Sequence, residues 1–122
     1  MKPGKSGITR IIDATGYSWK GLRAAYRNEA AFRQEILAVL ILLPLSFFVA
    51  RTHTQWLLLV APLFLLLIVE LLNSAIEAVV DRIGSERHEL AGMAKDMGSA
   101  AVMVCLVLIA GTWASTAWVN FV

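Results

Sequence analysis

Trp56-Leu-Leu-Leu-Val-Ala-Pro-Leu-Phe-Leu-Leu-Leu-Ile-Val69 runs straight on into Glu70-Leu-Leu-Asn-Ser-Ala-Ile-Glu-Ala-Val-Val-Asp81-Arg82, with Pro62 the one helix breaker before Gly84. The first part is uncharged and the second carries three carboxylates. Read as one helix from Trp56 to Gly84 at 1.5 Å per residue, the stretch is about 43 Å long. A bilayer's hydrocarbon core is ~30 Å thick, so such a helix crosses it and protrudes from one face.

The rest of the chain agrees. Two further uncharged runs, 36–50 and 97–122, flank the first at 56–69 in a chain of 122 residues. Hydrophobic residues make up 58% and charged ones 16%, against roughly 25% charged in an average globular chain. A soluble core of this size cannot hide that much uninterrupted apolar sequence. A net charge of +2 is too small for a nucleic-acid binder. The single cysteine, Cys105, allows neither an internal disulfide nor a cysteine-based zinc site. No cleavable leader is expected, because the first apolar run begins only at Ile36.

Residues 1–35 read as a cytoplasmic and interfacial segment. From Ser18, an expected N-cap, to Glu35, the residues Trp19, Leu22, Ala25, Tyr26, Ala30 and Phe32 share one side of a helical wheel, and Lys20, Arg23, Arg27 and Gln34 the other. A basic amphipathic helix with boundary aromatics lies in the membrane interface. Spans are expected at about 30–50, 55–83 and 96–120, with Arg33 snorkelling, a turn at 51–55 and a polar connector at 85–96. All belong to one domain covering 1–122. Seven of the eleven basic residues precede the uncharged run at 36–50, one lies in the first turn and three lie between the second and third spans. The positive-inside rule places the N-terminus in the cytoplasm and the C-terminus outside.

Ionisable residues within apolar helices are costly and by default functional. Glu70, Asn73, Ser74, Glu77 and Asp81 fall within an arc of about 100°. Three carboxylates on one stripe cannot face lipid; Asp81, at the helix exit, also reads as a solvated end. Glu29 sits in the apolar sector of the N-terminal helix, where a metal shared with Glu70 or Glu77 would suffice to hold it. Oxygen donors without cysteine suit Mg²⁺ better than zinc. His53 and His88 read as loop residues. Lys95 and Asp96 stand at the expected start of the third span, where a cation and a helix N-terminus make an anion site, or where Lys95 anchors a solvated loop. The sequence contains no P-loop, glycine-rich kinase loop or Rossmann fingerprint.

The segment Glu70-Leu-Leu-Asn-Ser-Ala-Ile-Glu-Ala-Val-Val-Asp81 resembles the signature of the small prokaryotic integral-membrane diacylglycerol kinases. The likeness continues through Arg82-Ile-Gly-Ser-Glu-Arg-His-Glu-Leu90, Ala94-Lys-Asp-Met-Gly-Ser-Ala-Ala101, Gly16-Tyr-Ser-Trp-Lys-Gly-Leu-Arg-Ala-Ala25 and Asn28-Glu-Ala-Ala-Phe-Arg-Gln-Glu35. Tyr26 stands where that family commonly has Trp, and Arg87 where it commonly has an aromatic. The resemblance implies transfer of phosphate from ATP to diacylglycerol, giving phosphatidic acid, in an all-α homotrimer of three-span subunits with shared active sites in the bacterial inner membrane. Carried over by motif position, Glu70 is the general base, and Glu29 and Glu77 bind the Mg²⁺ of MgATP. Asn73, Lys95 and Asp96 serve the phosphates, Glu86, Arg87 and His88 the adenosine, and Arg10 and Tyr17 the nucleotide end. Arg10, Ala14, Trp19, Arg23, Ala31, Glu35, Glu70 and Ser99 line the lipid side. Small residues at Ala94/Gly98, Ala110/Ala114 and Gly111/Ser115 permit close helix packing between copies.

Two alternatives stand beside this reading. The same chemistry could act on undecaprenol, which a kinase assay with both alcohols decides. A small proton- or cation-coupled transporter built around Glu70 would want its carboxylate near mid-membrane and would not need the polar connector.

Overall fold

The computed structural model describes residues 6–84 and 88–122. Four helices follow in order: α1 (Gly7–Asn28), α2 (Ala30–Val49), α3 (His53–Ile83) and α4 (Glu89–Phe121). The described residues include no strand. The last three helices are long and apolar enough to cross a membrane, so the all-α, three-span class expected from the sequence holds. At 1.5 Å per residue α2 is about 30 Å long, one hydrocarbon thickness, whereas α3 and α4 reach about 46 and 50 Å and must protrude.

Helix α3 is central; it packs chiefly on α4 and then on α2, and α1 rests against α2 and α3. Its buried residues Leu59, Leu63, Leu66 and Glu70 recur at steps of four, three and four. That spacing is one continuous helix face, and Asn73 and Glu77 continue it. Glu70, only 4% exposed, thus closes the apolar core seam and opens the polar stripe. Phe32 and Val39 of α2 are also buried, as is Cys105 of α4, whose thiol lies 3.8 Å from the Pro62 carbonyl of α3. The outer surfaces carry Leu40, Phe47, Phe48, Val104 and Val107, which are exposed as a lipid solvent requires.

Two prolines interrupt the backbone ladders of the spans, each removing an N–H. The indole of Trp113 donates to the Leu59 carbonyl at 3.1 Å, in the turn preceding Pro62. Near Pro44, the fully buried Ser46 hydroxyl donates to the Leu43 carbonyl at 2.6 Å and accepts from the Trp56 indole at 3.0 Å. A polar clamp closes this end of the bundle. The Asn120 amide donates to the Val49 carbonyl at 2.7 Å and to Gln55 Oε1 at 2.8 Å, and the Gln55 amide returns a bond to Asn120 Oδ1 at 3.2 Å. Gln55 Oε1 also accepts from the Arg51 backbone N–H at 2.9 Å. One side chain near the end of α4 therefore fixes the end of α2, the turn and the start of α3.

Three boundaries differ from the sequence reading. Helix α1 starts at Gly7, and Ser18 lies inside it, its hydroxyl donating to the Ala14 carbonyl at 2.9 Å rather than capping. The helix does not continue to Glu35 but breaks at Glu29, whose φ of −116° and ψ of 106° are extended. Helix α4 begins at Glu89, capped by His88 Nδ1 accepting from the Leu90 N–H at 3.0 Å. Lys95 and Asp96 accordingly lie about 10 Å inside α4 and not at its N-terminus.

Replacing Asn120 by Leu removes three of the clamp's bonds and strands polar groups of Gln55 and Val49 where water is scarce. Denaturant unfolding in mixed micelles should show a loss of about 2–4 kcal/mol. An unchanged unfolding midpoint would contradict the clamp.

Candidate active site on the polar face of the long helix

Glu70 reaches its place because α3 carries it at the core period, where an apolar residue would otherwise stand. Its carboxylate has a local partner: the Asn73 amide nitrogen donates to Glu70 Oε2 at 3.2 Å, one turn along α3. From α2 the half-buried Glu35 brings its carboxyl beside that of Glu70, with Glu35 Oε2 buried and without a hydrogen-bond partner. Further along α3, the half-buried Glu77 lies within electrostatic reach of Glu29, Glu70, Lys95 and Asp81. Lys95 Nζ is ion-paired with Asp81 Oδ1 at 2.7 Å, on a partly exposed edge.

The break between α1 and α2 is what carries Glu29 to this group. Glu29 ends α1, its backbone N–H donating to the Ala25 carbonyl at 2.9 Å, and starts α2, its carbonyl accepting from the Arg33 N–H at 3.3 Å. The Arg33 guanidinium turns back to donate to the carbonyls of Tyr26 and Arg27 at 2.7 and 3.1 Å. Those are orphan acceptors at the end of α1, and a cation there also complements the helix dipole. Arg33 is therefore the joint's clip, a role that the sequence reading gave to snorkelling.

Two grooves adjoin the site. One of about 560 Å³ runs between α1 and α3, lined by Leu22, Ala25 and Glu29 on one side and Leu71, Ser74 and Ala78 on the other. A second, of about 370 Å³, is bounded by Trp19, Arg23 and Tyr26 of α1 and Phe32 and Ile36 of α2. Among the residues expected to serve the site, the fold gathers Glu29, Glu35, Glu70, Asn73, Glu77 and Lys95 in one region. Trp19 and Arg23 share the second groove, Ala14 is half-buried, and Ala31, Asp96 and Ser99 are exposed. Arg10 and Tyr17 are exposed on α1, about 28 and 18 Å along its axis from Glu29. His88 caps α4; Glu86 and Arg87 lie outside the described residues.

Among the described residues, no three His, Cys, Asp or Glu side chains converge to hold a metal ion unaided. Glu29 and Glu77 supply two hard oxygen donors, short of the near-octahedral shell that Mg²⁺ requires. That donor set fits an ion that arrives with phosphate oxygens of its own. The fold thus brings a buried carboxylate, two further carboxylates and a cation into one region.

The class is thus a multi-pass helical membrane protein with a stripe of carboxylates along one span. The family model for prokaryotic diacylglycerol kinase matches residues 16–117, and the chain belongs to that family. It is 54% identical over 121 residues to a diacylglycerol kinase of Escherichia coli (strain K12), covering 99% of both chains. It is 53% identical over 112 residues to one of Pseudomonas aeruginosa, covering 92% of this chain and 91% of that one. With one of Haemophilus influenzae the identity is 48% over 108 residues, covering 88% of this chain and 92% of that one.

Replacing Arg33 by Ala should free the end of α1. Backbone hydrogen exchange at residues 28–30 should rise about tenfold, the loss expected for a charge-assisted bond. Exchange in the core of α3 should not change. Equal protection at the joint in both proteins would contradict the clip.

Proposed function

We infer that this chain is a membrane lipid kinase that transfers the γ-phosphoryl group of ATP to diacylglycerol, giving ADP and phosphatidic acid. The observation that carries the reading is the core-spaced carboxylate Glu70, aligned with Glu77 and Lys95, in a chain matched almost end to end by relatives named diacylglycerol kinase. The site is proposed to face the cytoplasm in the inner membrane, as the distribution of basic residues requires.

In this mechanism Glu70 takes the proton from the lipid hydroxyl. The oxygen forms a bond to the γ-phosphorus while the bond to the β-phosphate oxygen breaks, and ADP departs. Phosphoryl transfer needs little covalent help from the protein; positioning and charge neutralisation dominate. Glu29 and Glu77 would hold the Mg²⁺ that accompanies ATP, which would supply charge neutralisation at the phosphates. Lys95 adds a second positive charge once it shifts from Asp81 toward the phosphates, and Asn73 and Asp96 organise those contacts. Glu86, Arg87 and His88 are assigned to the adenosine, and Arg10 and Tyr17 to the nucleotide end. The lipid is assigned to Arg10, Ala14, Trp19, Arg23, Ala31, Glu35 and Ser99, so that the hydroxyl meets Glu70 from the apolar side.

A homotrimer with sites shared between copies completes the reading. Arg10 and Glu29 stand about 28 Å apart along α1. In this reading one α1 serves two sites, one of them a neighbour's.

Glu70→Gln should keep fold and nucleotide binding and lose turnover by about 10²–10⁴-fold, the usual contribution of a general base. Turnover within about threefold of the parent would remove Glu70 from that role. Glu29→Gln and Glu77→Gln should each raise the Mg²⁺ concentration needed for half-maximal rate. Because they act on one ion, the double variant should lose far less than the product of the single losses. Multiplicative losses with unchanged Mg²⁺ titrations would separate the two residues.

A further inference from the structure

Gly98 lies buried where α4 crosses α3. A Cβ built there would collide with Asn73 Oδ1, and its next neighbours are Asn73 Cγ at 3.2 Å and Asn73 Cβ at 3.8 Å. The three nearest atoms all belong to that one side chain. Gly16, Gly21, Gly92 and Gly111 by contrast face open space. The absence of a side chain at 98 is therefore used, and it is used by Asn73.

The amide's orientation follows from its other end. The nitrogen of Asn73 faces Glu70 and donates to its Oε2 at 3.2 Å. The oxygen must then point the opposite way, into the α3–α4 seam. There Oδ1 is buried and no donor meets it. The surrounding groove, about 440 Å³, is otherwise lined by Val69, Leu72, Ile76, Ala94, Met97, Gly98 and Ala101, so Asn73 is its one polar side chain. An unpaired buried carbonyl is unfavourable and persists only if the amide is held from its other side. The space over the Gly98 Cα is the room that it needs.

We propose that Gly98 is a positioning residue for the phosphoryl transfer: by lacking a Cβ it lets Asn73 hold one oxygen of Glu70, leaving the other aimed at the lipid hydroxyl. The proposal rests on Glu70 being the base, as proposed above, and gives Asn73 a duty toward the base that its expected phosphate contact does not include. With a methyl at 98 the amide must rotate away, and Glu70 loses its local hydrogen-bond partner on α3. The carboxylate then samples orientations unproductive for the alcohol, while Glu77 on α3 and Lys95 on α4 stay in place.

A double-mutant cycle on the full chain in mixed micelles with MgATP and diacylglycerol tests this. Gly98→Ala should lower kcat about 100-fold, the effect of a misplacement near 1 Å, and leave KM for MgATP within about twofold, as for an interaction made chiefly in the transition state. Asn73→Ala should lower kcat similarly. In the Asn73→Ala background, where the methyl has room, adding Gly98→Ala should cost less than about threefold more, because both changes remove one interaction. Losses that multiply, or a Gly98→Ala variant within about threefold of the parent, would overturn the proposal. If Gly98→Ala alone fails to fold, the double variant should fold and match Asn73→Ala; failure of both to fold would assign Gly98 to helix packing and overturn it. Parent turnover in the same assay separates the two readings. An inactive parent refutes the kinase and the proposal together, whereas an active parent with multiplicative losses refutes the proposal alone.

Discussion

A single change of character along one helix face governs this chain. Leu59, Leu63 and Leu66 of α3 are core residues, and the next position of the same seam is Glu70. A carboxylate at a core position has no water to fall back on and must be met by protein or substrate. The seam beyond it continues through Asn73 and Glu77, so the surface that holds the bundle together becomes the surface on which the proposed chemistry is placed. The elements around it supply partners: Asn73 from α3 itself, Glu35 from α2, Lys95 from α4 and Glu29 from the α1–α2 joint.

The two ends of the bundle divide the work. At the 50–52 end, Asn120, Gln55, Ser46 and Trp56 close hydrogen bonds between helices and with the turn, and Arg51 stacks on Phe121 with its guanidinium 4.9 Å from the ring. That end is tied. At the other end, grooves lie between α1 and its neighbours, and Lys95 rests on an exposed Asp81. Exposed ion pairs are weak, so a phosphate can compete for Lys95 at little cost. Hydrogen bonds between helices mark one end of the bundle, and grooves and an exposed ion pair mark the other.

Much of this was legible in the sequence. Three uncharged runs gave the spans, and the 100° arc of Glu70, Asn73, Ser74, Glu77 and Asp81 marked the acidic face, because both signals are periodic and local. The break at Glu29 was not legible, since apolar residues at helical spacing continue through it and the clip from Arg33 is made by one side chain folding back. The start of α4 was misread because 89–96 looks polar like a connector, although Glu, Leu, Ala, Met and Lys are good helix formers. The clamp between Gln55 and Asn120, 65 residues apart, and the fit of Asn73 over Gly98 are contacts between helices. Periodicity says which face a residue is on, and does not say which residue of another helix it meets.

The most direct measurement gives the purified chain, in mixed micelles with MgATP, diacylglycerol and undecaprenol in separate reactions, and follows lipid product and ADP together. The account predicts phosphatidic acid and ADP in equal amounts with diacylglycerol, and little product with undecaprenol. ADP released without phosphorylated lipid, or undecaprenyl phosphate as the preferred product, would contradict it.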